Sequence, residues 1–170
     1  MSRGDTVQLT SIYSALTHND YLELSNIDFS KIIESYKEIL PLNNEIFEQA
    51  NIDLLNLLLA YDLSNDGRTE ILTTAKELAK WILDESDNIV DYEINIINYL
   101  QVIKRERKLN NDENEKLFSI TESSENITCK LGANLLLENY KVARIQFHQL
   151  SKEEKDSFKS FPIYRFWSES

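Results

Sequence analysis

Apolar residues recur at helical spacing along nearly the whole chain. Phe29, Ile32, Ile33, Tyr36 and the pair Ile39–Leu40 form one stripe, and Pro41 closes it by disfavouring helix in the residue before it. From Ile46 to Tyr61 the run of Leu54, Leu55, Leu57, Leu58 and Leu59 is apolar almost all round, which predicts a central helix covered on several sides. Leu72, Ala75, Leu78, Ala79 and Ile82 share one side of a helix predicted over 71–83. In a longer helix over 92–109, Ile96, Ile97, Leu100 and Ile103 take one side. Asn95, Asn98, Gln101, Arg105 and Lys108 take another. A short helix over 112–121 carries Leu117, Phe118 and Ile120.

The C-terminal stretch from Ile127 to Tyr164 is the clearest part. Cys129, Leu131, Leu135 and Leu136 are spaced to share one side of a helix. Glu138-Asn139-Tyr140 interrupts it, with Asn139 the residue expected to tolerate a left-handed backbone. Tyr140, Ala143, Phe147 and Leu150 then step along one face of a second helix. Ser151 with Glu154 three residues later is a capping box, so a third helix starts there and stops near Phe161, ahead of Pro162. Phe161, Ile163, Tyr164, Phe166 and Trp167 are placed to fold back over the last helix pair. At the other end, Leu9, Ile12, Tyr13 and Leu16 have helical spacing that Thr17-His18-Asn19-Asp20 breaks, with His18 read as a loop histidine. Residues 1–26 are therefore expected to be an arm or short helix, and 27–170 one helical-repeat domain.

The segment NYKVARIQF resembles the second helix of a tetratricopeptide repeat. In that family a small Ala lets two helices cross closely, with one aromatic three residues before it and another four after. Ala143, Tyr140 and Phe147 match, and Leu131-Gly132 resembles the Leu-Gly pair of the family's first helix. The match covers about one repeat. Ala75 and Ala143 also lie two intervals of about 34 residues apart, but the intervening position, Leu109, falls at a helix end and not inside a second helix. The resemblance implies an all-α fold of stacked antiparallel helix pairs, 44–83, 92–121 and 127–150, a tetratricopeptide-like α-solenoid forming a single domain. It also implies a groove lined by the first helix of each pair.

Composition agrees with that class. Only three Gly and two Pro occur in 170 residues of which 42% are hydrophobic, too few turn formers for an all-β chain. Residues Met1 to Asp5 lack the basic-then-apolar start of a secretory signal, and no apolar run reaches spanning length. With Cys129 alone no internal disulfide is possible, so the expected location is cytoplasmic. Cys129 lies on an apolar helix face, where a buried inert thiol is expected. The net charge of −11 is uneven. Residues 1–100 carry 6 Lys/Arg against 18 Asp/Glu, and residues 101–170 carry 12 against 11. The acidic front disfavours contact with nucleic-acid phosphates and suits either simple solvation or a basic partner.

Candidate chemistry is sparse. Asp62, Ser64, Asp66 and Gly67 fall at positions one, three, five and six of a calcium loop, with Glu70 at nine. Thr73 stands where the bidentate Glu is needed, so an interhelical turn is expected and no metal site. Arg144 and His148 share a helix face and resemble the Arg–His pair of the HEPN ribonucleases. That family leaves four to six residues between the two, whereas here three intervene. Lys104-Arg105-Glu106-Arg107-Lys108 is a dense basic run, expected as a solvated helix end that suits the helix dipole. No cofactor motif occurs. The expected function is a non-enzymatic module that binds a partner protein or peptide through Asn98, Gln101, Arg105, Lys130 and Asn134. Stacking would bring these two polar strips side by side, about 10 Å apart. Arg105 and Lys130 would favour an acidic ligand. The alternatives are an HEPN-like ribonuclease, or an acidic decoy that occupies a basic nucleic-acid-binding partner.

Overall fold

The computed structural model describes residues 69–84 and 89–168, together with Leu55, Leu58 and Leu59. The expected arm at 1–26, the stripe at 29–40 and the turn at 62–68 lie outside the described residues. Leu55, Leu58 and Leu59 are helical and fully buried, as an all-round apolar helix requires. The chain divides into two compact units, Met1–Thr74 and Ala75–Ser170.

The described residues are α-helical, with no strand among them. The helices are α1 (Thr69–Asp84), α2 (Ile89–Glu106), α3 (Asn111–Ser123), α4 (Ile127–Leu136), α5 (Tyr140–Gln149), α6 (Lys152–Ser160) and α7 (Arg165–Ser168), with a 3-10 turn at Pro162–Tyr164 before the last. In α1, Ala75, Leu78, Ala79 and Ile82 are buried, the side its periodicity marked. Helix α2 starts three residues before the expected Tyr92 and stops three before Leu109. The early stop reflects competition for Asn110, whose side chain caps α3 instead. Glu113 N–H donates to Asn110 Oδ1 at 2.9 Å, and Asn110 N–H donates back to Glu113 Oε2 at 2.8 Å. This reciprocal box satisfies two backbone donors at a helix start. Ser151 and Glu154 form the second box, where the sequence placed it.

Helix α4 is the centre of the second unit. It packs against α2, α3 and α5, and against the C-terminal turns as well. Asn126 caps it by accepting from Thr128 N–H and Cys129 N–H. Every residue from Leu131 to Leu136 is buried. Gly132 is what lets neighbours close in. A methyl group there would lie 3.3 Å from both Ile97 Cγ2 on α2 and Ile163 Cδ1 in the 3-10 turn, tighter than ordinary contact.

The link between α4 and α5 corrects one expectation. Glu138, not Asn139, takes the left-handed backbone, with φ 62°. Glu138 N–H donates to Leu135 O at 3.1 Å and Asn139 N–H donates to Asn134 O at 2.9 Å. This is the paired hydrogen bonding that closes a helix around a left-handed residue. Glycine is the usual choice there. Glu138 is held instead by Lys104 Nζ, 2.7 Å from its carboxylate, and Asn139 is drawn inward, where its Nδ2 donates to Asn134 Oδ1 at 3.2 Å.

The C-terminal aromatics fold back as expected. Phe147 of α5 meets Phe158 of α6 edge-on, with centroids 6.2 Å apart, and Trp167 at 5.2 Å. Tyr164 completes the cluster at 6.1 Å from Phe147. Offset and edge-on rings of this kind contribute about 0.5–1.5 kcal/mol per pair beyond area burial. The cluster anchors one side of α5 and leaves its other side open.

Candidate docking surface

The structure divides the expected binding strip. Gln101 and Asn134 are buried, at 1% and 3% exposure, while Asn98, Arg105 and Lys130 are partly buried. Gln101 Nε2 donates to Asn98 Oδ1 at 3.1 Å within α2. Asn134 Nδ2 donates to Lys130 O at 3.0 Å and to Gln146 Oε1 of α5 at 3.2 Å. Asn134 therefore ties α4 to α5 from inside. Buried amides with partners of this kind fix the register of a helix pair.

The basic run is exposed at Glu106, Arg107 and Lys108, as a solvated helix end requires, yet most of it is also paired. Lys104 bonds Glu138, and Glu106 accepts from Lys76 Nζ at 2.5 Å. Arg107 grips Glu113 through two parallel bonds of 2.8 and 2.6 Å. That fork holds the Glu113 carboxyl below the usual carboxylate range and raises Arg107. The Arg105 guanidinium sits 5.7 Å from the ring centre of Phe166, a cation–aromatic contact. Successive residues thus staple α2 to α1, to the α4–α5 link, to α3 and to the C-terminal helix. Sequence periodicity placed them in solvent because Lys76, Glu138 and Phe166 are distant in sequence, and Glu113 lies beyond a turn.

The outer face of α5 is open. Ala143 is fully buried against the core, as the Tyr140–Ala143–Phe147–Leu150 spacing required. On the opposite side Val142 is 46% exposed and Ile145 61%. Beside them stand Lys141, Arg144 and His148, all exposed, with Gln149. At 100° per residue, Arg144, His148 and Lys141 form one rail and Ile145, Gln149 and Val142 a parallel one. Helix α5 contains no acidic residue. Lys141 and Arg144 make no ion pair among the described residues, unlike Lys104, Glu106 and Arg107.

No family model, no curated protein and no solved structure matches the chain.

The candidates for chemistry are placed as follows. Arg144 and His148 stand on the open face of α5 beside Ile145 and not in a recess of the core. Cys129 is buried, and burial pushes its thiol up to about 11, which keeps it protonated and unreactive at neutral pH. Asp62, Ser64, Asp66 and Gly67 lie outside the described residues, and Thr69 and Glu70 open α1. No cluster of metal-ligating side chains occurs among the described residues. No described helix is long and apolar enough to cross a membrane.

The α5 face escaped the periodicity reading, although a signal was there. Once Tyr140, Ala143, Phe147 and Leu150 take the inner face, Val142 and Ile145 are left over, three residues apart. Paired leftover β-branched residues on a short amphipathic helix mark an outer face that is itself apolar.

Proposed function

We propose that the chain is a non-enzymatic docking module of the cytoplasm, a tetratricopeptide-like stack of helix pairs that binds a partner protein through the outer face of α5. The packing of α4 against α2, α3 and α5 supports the stack, since each added pair in such an array rests on the pair before it. The observation that carries the docking reading is the exposure of Ile145 and Val142 on a helix whose other side is locked into the core by Ala143 and Phe147. Exposed single hydrophobes are common, but two adjacent ones rimmed by unpaired cations have the make-up of a contact surface. Asn134 serves this surface from behind, by tying α5 to α4, and Arg105 holds the C-terminal helix through Phe166. Asn98 and Lys130 keep partial exposure.

The test is a photo-crosslinking residue introduced at position 145 in the native host, with position 153 on α6 as the control. A discrete adduct with one other protein from position 145, absent from position 153 and lost on Arg144→Glu, is the expected result. Identical adducts from both positions would remove the α5 face from consideration.

A further inference from the structure

We infer that the occupant of the α5 face is an acidic amphipathic helix of a partner protein. The inference rests on the docking reading above and adds the chemistry of what docks.

Charge argues first. The chain as a whole carries −11, yet this face carries Lys141 and Arg144 and no carboxylate of its own helix. Lys104 and Arg107, by contrast, are held by Glu138 and Glu113. Lys141 and Arg144 are left without such a partner among the described residues. Complementary charge at a contact speeds encounter and excludes wrong partners.

Shape argues second. A helix has its backbone hydrogen bonds satisfied internally, and no strand edge exists among the described residues. An extended peptide would find no strand edge to pair with here and would keep its backbone hydrogen-bonded to water, gaining only side-chain contacts while losing chain entropy. A partner helix keeps its backbone satisfied and needs only side-chain contacts. The spacing fits: Val142 and Ile145 are three apart and Lys141, Arg144 and His148 step by three and four. This repeats the row spacing by which helices pack, at about 8–10 Å between axes. The ten residues of α5 span about 15 Å, or three turns of a partner.

A second copy of the chain fits less well. Pairing α5 with α5 would bring two basic rails together with no acid on either helix. The exposed Glu115, Phe118 and Glu122 of α3 have the right character. A contact from α3 of one copy to α5 of the next, however, is head-to-tail, and such contacts propagate unless they close into a ring.

Three synthetic helices test the inference: equal in length, with leucines at three- and four-residue spacing, and flanked by Glu, Gln or Lys. Binding to the full chain is read by fluorescence anisotropy. The Glu helix is expected to bind at least tenfold more tightly than the Gln helix, about 1.4 kcal/mol, with the Lys helix weakest. Lys141→Glu with Arg144→Glu should erase the preference, and Ile145→Asp should weaken every helix that binds. Equal binding of the Glu and Gln helices, with both weakened by Ile145→Asp, would overturn the acidic partner while leaving the docking face standing. No binding by any helix, or binding indifferent to Ile145→Asp, would overturn both. Sedimentation showing self-association lost in Ile145→Asp would make a second copy the occupant and overturn the inference.

Discussion

Helices α4 and α5 are each ten residues long and pack against one another, yet they do opposite work. Helix α4 is buried on every side from Leu131 to Leu136, and its Gly132 lets α2 and the C-terminal turn approach closely. Helix α5 buries Ala143 and rests Phe147 on the aromatic cluster, while Val142 and Ile145 face out. The local sequence of α5 is as apolar in places as that of α4. What separates the two is how many neighbours each has: α4 packs against α2, α3, α5 and the C-terminal turns, and α5 mainly against α4. Stability is therefore concentrated in α4, and the proposed docking surface lies on α5.

The comparison is most easily broken by removing core volume. Leu135→Ala should cost about 2–5 kcal/mol, since a fully buried leucine leaves a cavity. Val142→Ala should shift stability by about 0.5 kcal/mol or less. Similar losses from the two, measured by urea denaturation, would mean that α4 is not the centre.

Overpacking sharpens the boundary within α5 itself. Ala143→Leu should cost about 1–3 kcal/mol because the residue is fully enclosed. Arg144→Leu, one position along on the open side, should be close to neutral. An unchanged unfolding midpoint for Ala143→Leu would place the α4–α5 crossing elsewhere.

Acid titration separates the inner staples from the outer rail. The Glu113 side chain is only 12% exposed and its carboxyl is held low by the Arg107 hydrogen bond. Its contribution is full above the ordinary carboxylate value and fades as pH falls through its lowered folded value. Glu113→Gln should thus lower stability at neutral pH and flatten the loss on acidification. A parallel pH profile for variant and wild type would show that the fork adds nothing.

Much of the architecture was legible in the sequence. Helical periodicity located α1 to α6 to within about three residues at each end, a usual margin for helix boundaries set by caps. The Ser151–Glu154 box and the stop before Pro162 could be read directly, because both are local chemistry. Three things were not legible. Glu138 rather than Asn139 adopts the left-handed turn, since its ion pair with Lys104 comes from a helix distant in sequence. The strip of Asn98, Gln101, Arg105, Lys130 and Asn134 looked solvent-facing because periodicity separates polar from apolar sides and cannot show that a polar side is also covered. Gln101 and Asn134 are covered. The α5 face was missed for the converse reason: its apolar residues lie off the face that the core selects.

The smallest expected effect on folding belongs to Ile145→Asp, about 0.5 kcal/mol or less, because the side chain is already in water. The most direct test of the account pairs charges across the proposed contact. Arg144→Glu and a Glu-to-Lys change in the acidic helix probe form a double-mutant cycle, with affinities measured for all four combinations. The account predicts that each change alone weakens binding and that the two together restore much of it, a coupling of about 0.5–3 kcal/mol. Strictly additive losses, with no recovery in the doubly changed pair, would contradict the claim that α5 presents its cations to an acidic partner.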